Sequence, residues 1–214
     1  MSTSSRAHAK PASRKPGAAA AAGDAVALLI ADHKEVHALF QTYKKLVSRK
    51  AGAEERQPLA EQICLLLTVH TAVEEELFYP AARRAKVEAA LLDEAEVEHA
   101  SAKGLIAQLR GMTGDEALYD AKVTVLGEYI DHHVKEEQDE MFPACRKSTM
   151  DLQALGEKMA LRKEALTSEQ MEGMEVEGSD PRDSGAHGDP ATTPVAELDT
   201  PMHEPAHSAY SAPR

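Results

Sequence analysis

Tryptophan is absent from this chain of 214 residues, and aromatic residues make up only 4% of it. Alanine, leucine, glutamate, lysine and glutamine dominate its middle instead, which is helix-forming chemistry. Cysteine is scarce. Two residues, Cys64 and Cys145, exclude a disulfide framework and read as reduced thiols in a cytoplasmic protein. No stretch approaches the roughly 20 apolar residues that a membrane span needs. The N-terminal MSTSSRAHAKPASRKPGAAAAAG lacks the apolar segment of a secretory signal. Positive charge is also in deficit, at a net −12. That excludes a sequence-independent grip on nucleic acid or on an anionic membrane by the chain as a whole.

Composition divides what remains. Residues 1–23 carry four bases and no acid and read as a disordered basic tail. Residues 167–214 carry ten acids, two bases, many prolines and few large apolar groups. Such a tail buries too little surface to offset its ordering entropy. Between them, residues 24–148 keep helical time. Leu29, Val36, Phe40, Tyr43 and Val47 step by threes and fours, as do Ile63, Leu67, Leu77 and Ala81. Leu92, Ala95, Ala102, Ile106 and Leu109 form a third stripe, and Leu126, Ile130, Met141 and Ala144 a fourth. Each stripe predicts an amphipathic helix burying one seam.

Gly52 and Thr113-Gly114-Asp115 mark two of the breaks, while the second and third helices meet softly near Lys86. Pro80 and Pro143 should each kink or end a helix within about a turn. Short connections give an all-α, up-down-up-down antiparallel four-helix bundle. Residues 149–166 hold a short fifth helix, expected to pack outside it. A weak repeat runs through the bundle. Asp32-His33 precedes His70-x-x-x-Glu74 much as Glu98-His99 precedes His133-x-x-x-Glu137, as in a duplicated helical hairpin.

The stripes have gaps, filled by His33, His70, Glu74, His99, His133 and Glu137. Each occupies a seam position where leucine or valine is expected. Residues four apart share a helix face, so His70 with Glu74, and His133 with Glu137, can address one point. Two carboxylates and four imidazoles buried without compensation would cost several kcal/mol per ion, against a domain margin of about 5–15. A pair of metal cations satisfies them, with imidazole and carboxylate suiting first-row transition metals such as iron. The glutamates are natural bridges, leaving two histidines to each ion. The alternative is a metal-free histidine–carboxylate network. His37 falls beside the seam and His132 about 100° from it. Glu75, Glu76, Glu136, Asp139 and Glu140 read as a solvated face from which one could orient a histidine. Phe78, Tyr79, Met141 and Phe142 read as core or lid.

LLIADHKEVHALF, HTAVEEELFYPAA, VEHASAKGL and HHVKEEQDEMFPA resemble, in order, the four helices of hemerythrin-like, HHE cation-binding domains. The resemblance covers about residues 24–148. It implies a non-haem di-iron centre with an oxo or hydroxo bridge. His33 and His70 would serve one iron, His99 and His133 the other, with Glu74 and Glu137 bridging. Two positions depart from the dedicated oxygen carriers. Lys103 stands where they carry a second third-helix histidine, and Gln138 where they carry their last carboxylate. The resemblance is therefore to the broader branch of the family. It implies binding or sensing of O2, NO or peroxide, with a protein partner to receive the signal. The alternatives are a di-iron enzyme acting on peroxide or NO, in which Tyr79 or Lys103 could supply protons, and a metal-free helical interaction module. A ferritin-like site would need Glu-x-x-His twice, and only Glu96-x-x-His99 matches.

Overall fold

The computed structural model describes residues 23–177, with side chains to Gly173, and most of the expected tails, 1–23 and 167–214, lies outside them. Asp24 opens the helical part. Its carboxylate accepts a hydrogen bond from the Ala27 N–H at 2.8 Å and caps α1, Ala25–Ser48. Arg146 ties the same carboxylate at 2.8 Å, joining the start of the first rod to the end of the fourth.

The second rod is α2 (Ala53–Val73), one π-helical turn (Glu74–Phe78) and α3 (Tyr79–Arg84). The third is α4, Ala89–Arg110. The fourth repeats the construction of the second: α5 (Tyr119–Glu136), a π turn (Glu137–Met141) and α6 (Phe142–Lys147). The π turns are how the helices pass their prolines. Pro80 and Pro143 have no N–H and would crowd a carbonyl four residues back. Widening the preceding turn, closed by Tyr79 N–H to Glu74 O and Phe142 N–H to Glu137 O, relieves that clash. Each rod ends about one turn later.

This extra residue corrects the stripes. Counting by threes and fours from Glu74 puts Leu77 and Ala81 inside, yet both are half-buried, and Phe78, Tyr79 and Ala82 fill the core. Beyond Glu137, Phe142 and Cys145 take the core with Met141, and Ala144 is half-buried. Val47, at the end of its stripe, is exposed.

The reversals differ from the glycine breaks too. Lys50 (φ 56°) and Lys86 (φ 61°) take the left-handed conformation. The next N–H of each, from Ala51 and Val87, reaches back to Leu46 O and Ala82 O. These are Schellman endings with lysine where glycine is usual, so no glycine announced the boundary at Lys86.

α7, Leu152–Glu177, lies against α1, α2 and the first π turn, outside the four rods. It runs past Thr167, where composition placed the start of the tail. Thr167–Glu177 is rich in Glu, Gln and Met, and the next proline is Pro181. Its own Met159 and Leu166 are buried against the bundle. Gly156 lets it close on α1: a Cβ there would meet the Gly23 carbonyl oxygen at 2.6 Å and the Ala25 nitrogen at 2.7 Å. Gly156→Ala should therefore cost about 1–3 kcal/mol by overpacking. Thermal unfolding, with faster proteolysis of α7, reads this directly.

The described residues contain no strand, and none of their helices is long and apolar enough to cross a membrane. Two apolar cores fill the bundle. One holds Leu29, Val73, Phe78, Leu92 and Phe142, and the other Phe40, Ile63, Leu67, Ile106 and Leu126. A polar layer separates them.

Candidate metal centre

That layer is made of the six gap residues. His33 lies between Leu29 and Val36, His70 between Leu67 and Val73, His99 between Ala95 and Ala102, and His133 between Ile130 and Met141. All six are buried, Glu74 completely. The four Nε2 atoms turn inward. His33 Nε2 is 3.2 Å from His70 Nε2 and 3.2 Å from Glu137 Oε2. His99 Nε2 is 3.1 Å from His133 Nε2 and 3.4 Å from Glu74 Oε2. Glu74 also reaches His70 at 3.2 Å, and Glu137 reaches His133 at 3.6 Å. Two donor groups result: His33, His70, Glu74 and Glu137, and Glu74, His99 and His133.

The donors fit cations on their own chemistry. Both oxygens of Glu74 and Oε2 of Glu137 are buried with no hydrogen-bond partner. Leaving a buried acceptor unmet costs about 1–3 kcal/mol, more when charged. Burial, then the facing Glu137 carboxylate, hold the Glu74 carboxyl well above its usual range. Burial opposes charge on Glu137 as well, but His33 and His133 outweigh it and hold that group below its usual range. Burial and the neighbouring His133 push His99 down to about 4, and burial lowers His70 also. The imidazoles so favoured in the neutral form keep a lone pair free for metal.

Each outward Nδ1 faces a polar side chain in a two-fold pattern, although at 3.5 Å His70 Nδ1 and Asp32 Oδ2 make no hydrogen bond. Asp32 faces His70 at 3.5 Å and Glu98 faces His133 at 2.8 Å, each within one hairpin. Glu75 faces His99 at 3.0 Å and the Gln138 amide faces His33 at 3.1 Å, each across hairpins. Such partners fix ring orientation and raise ligand basicity. At His133 the Glu98 hydrogen bond and the Glu137 charge overcome the opposing effect of burial and raise its pKa. Lys163 of α7 backs Asp32, and Lys103 backs Glu75 at 2.5 Å.

The remaining candidates resolve individually. Lys103 ends on Glu75 and does not enter the layer. Tyr79 does. Its hydroxyl donates to Glu137 Oε1 at 3.1 Å and lies 3.2 Å from His99 Nε2. Burial, then Glu74 and Glu137, hold this phenol well above its usual pKa. His37 stands on the surface, 3.1 Å from Asp131. Glu96 turns outward to Arg83 at 2.8 Å, so the single Glu-x-x-His match builds no site. Asp32 and Glu98 were visible only as the acids of the repeat. Their partners lie on other helices, where spacing along one helix cannot point.

The Hemerythrin HHE cation binding domain profile matches residues 24–145. Among solved structures, a hemerythrin HHE cation-binding domain-containing protein from Mycobacterium kansasii is similar, with a TM-score of 0.61 and 25% identity. The match covers 73% of this chain and 95% of that one. No curated protein sequence matches.

Proposed function

This chain belongs to the hemerythrin HHE cation-binding family, and we propose that it holds two non-haem irons and binds or senses O2, NO or peroxide. The observation that carries the metal reading is the set of partnerless carboxylate oxygens ringed by four inward imidazole nitrogens. His33 and His70 would hold one ion and His99 and His133 the other, with Glu74 and Glu137 between them. Bound iron supplies redox and Lewis-acid chemistry.

The protein shapes what reaches the layer. A cavity of about 10 Å³ adjoins the histidines, walled by Val36, Leu67, Ile130 and Val134. Room for about one water, with apolar walls, suits a small uncharged ligand. Outside it lies a groove of about 280 Å³ edged by Lys34, His37, Asp131 and Gln138. His33, Ile130 and Val134 border both spaces and form the partition. The chain Lys163–Asp32–His70 leads from α7 to the layer and offers a route to a protein partner. Cys64 and Cys145 are free and buried, and burial raises both thiols to about 11 and keeps them protonated and unreactive.

Tyr79 favours a second reading, an enzyme acting on peroxide. Its hydroxyl lies inside the layer, donates to Glu137 Oε1 and keeps its proton there. The test is metal content with an ultraviolet–visible spectrum, on protein purified without oxygen and exposed in turn to air, NO and peroxide. Two irons per chain and new bands on oxidation are expected. Consumption of excess peroxide would select the enzyme. A protein that takes no iron when offered it, and stays spectrally silent, would overturn both readings.

A further inference from the structure

Three tyrosines are buried in the bundle, Tyr43, Tyr79 and Tyr119. A buried phenol O–H usually finds an acceptor. Tyr43 donates to Asp120 at 2.7 Å and Tyr79 to Glu137 at 3.1 Å. Tyr119 is only 2% exposed, yet among the described residues its hydroxyl makes no hydrogen bond. Burial, then the neighbouring Cys64 and Glu61, push this phenol up to about 12, so it keeps its proton as a donor.

Open space adjoins that hydroxyl. Tyr119, Cys64 and Glu61 line a cavity of about 330 Å³ enclosed by α2, α4, α5 and α7, and none of the six gap residues borders it. Pockets for small organic ligands begin at about 300 Å³. Leu109 and Met112 give the cavity an apolar wall, and Arg110 stands on the same rim. The Arg110 guanidinium donates only to neutral oxygens, Thr68 Oγ1 at 3.1 Å and Gln170 Oε1 at 3.5 Å, and among the described residues no carboxylate pairs with it. The other polar groups of the wall are engaged with one another. Gln57 donates to Glu61 at 2.9 Å and accepts from the Gly114 N–H at 2.8 Å, while Arg162 holds Glu169 at 3.0 Å. What is left over is a guanidinium, an apolar wall, and a phenol donor near a carboxylate that has no cation.

We propose that this cavity binds a small aromatic acid carrying a hydroxyl at its far end. Its carboxylate pairs with Arg110, since charge-assisted pairs to guanidinium are the strong ones. Its ring packs on Leu109 and Met112. Its hydroxyl accepts from Tyr119 and donates to Glu61, so one group answers both. An ammonium would satisfy Glu61 but has no lone pair for the Tyr119 proton. The site is separate from the metal layer and stands or falls independently of the di-iron reading.

The test is isothermal titration calorimetry of the full chain with three probes: 4-hydroxyphenylacetate, phenylacetate, which lacks the hydroxyl, and 4-hydroxyphenethyl alcohol, which lacks the carboxylate. The first should bind at one equivalent. Phenylacetate should bind about threefold to tenfold more weakly, and the alcohol about tenfold or more. Two variants then assign the ends. Tyr119→Phe keeps the ring and should weaken 4-hydroxyphenylacetate to the level of phenylacetate while leaving phenylacetate itself unchanged. Arg110→Gln should weaken both acids and leave the alcohol unchanged. Melting curves of each variant check that the fold is kept, and the comparison of the three probes on wild-type protein holds even if a variant does not fold. Absence of saturable binding by all three probes would overturn the proposal. Equal binding of all three would overturn it as well, since a cavity blind to both ends of the molecule is only an apolar space. Unchanged binding of 4-hydroxyphenylacetate in both variants would show that the probe sits elsewhere.

Discussion

Glu74→Leu should make the metal-free protein more stable and abolish its capacity for two ions. Glu74 is fully buried, and neither of its oxygens has a hydrogen-bond partner. Burial and Glu137 already disfavour its charge. Leucine has a similar size and suits a seam bounded by Val73 and Phe78. Removing an unmet buried acceptor recovers the roughly 1–3 kcal/mol that leaving it unpaired costs. At about 2–4 °C per kcal/mol for a chain of this size, the melting temperature of chelated protein should rise measurably. The same change removes the one residue common to both donor groups, so iron content should fall below one per chain. A leucine variant that melts lower than metal-free wild type, or that still takes two irons, would contradict this account of Glu74.

Stripping the metal from wild-type protein should have the larger effect on stability. The six proposed ligands come from four rods, and an unfolded chain cannot gather them. A ligand that binds only the folded state adds about 4 kcal/mol at a thousandfold excess over its dissociation constant. That corresponds to a fall of about 8–16 °C in melting temperature when a chelator removes the metal. Differential scanning calorimetry before and after exhaustive chelation measures it. An unchanged melting temperature would favour the metal-free histidine–carboxylate bundle.

Much of the layer was legible because helical spacing is local. The stripes located the bundle, and their gaps named six residues that the structure gathers within hydrogen-bonding reach of one another. What spacing could not show lies between helices. Asp32, Glu98 and Gln138 act on histidines of other rods, and sequence offered only the repeat as a trace of that order. Lys103 was visible as a departure from the oxygen carriers, but its purpose, anchoring Glu75, depends on the neighbouring rod. Tyr79 was named as core or lid and as a proton source, but the π turn before Pro80, which turns its hydroxyl onto Glu137, leaves no mark in helical spacing.

Counted as lengths of chain, the two wide turns leave a signature of their own. Histidine to glutamate is four residues, glutamate to aromatic is five, and proline follows: His70, Glu74, Tyr79, Pro80, then His133, Glu137, Phe142, Pro143. The fifth residue is an insertion, and it sets the reading frame of everything after it. Deleting solvent-facing Glu76 or Glu140 would keep every inward ligand and both prolines. It would nevertheless rotate the aromatic by about 100° about its rod. In such a chain every inward histidine and glutamate would remain, and the frameshift alone would turn Tyr79 from Glu137 or Phe142 from His33.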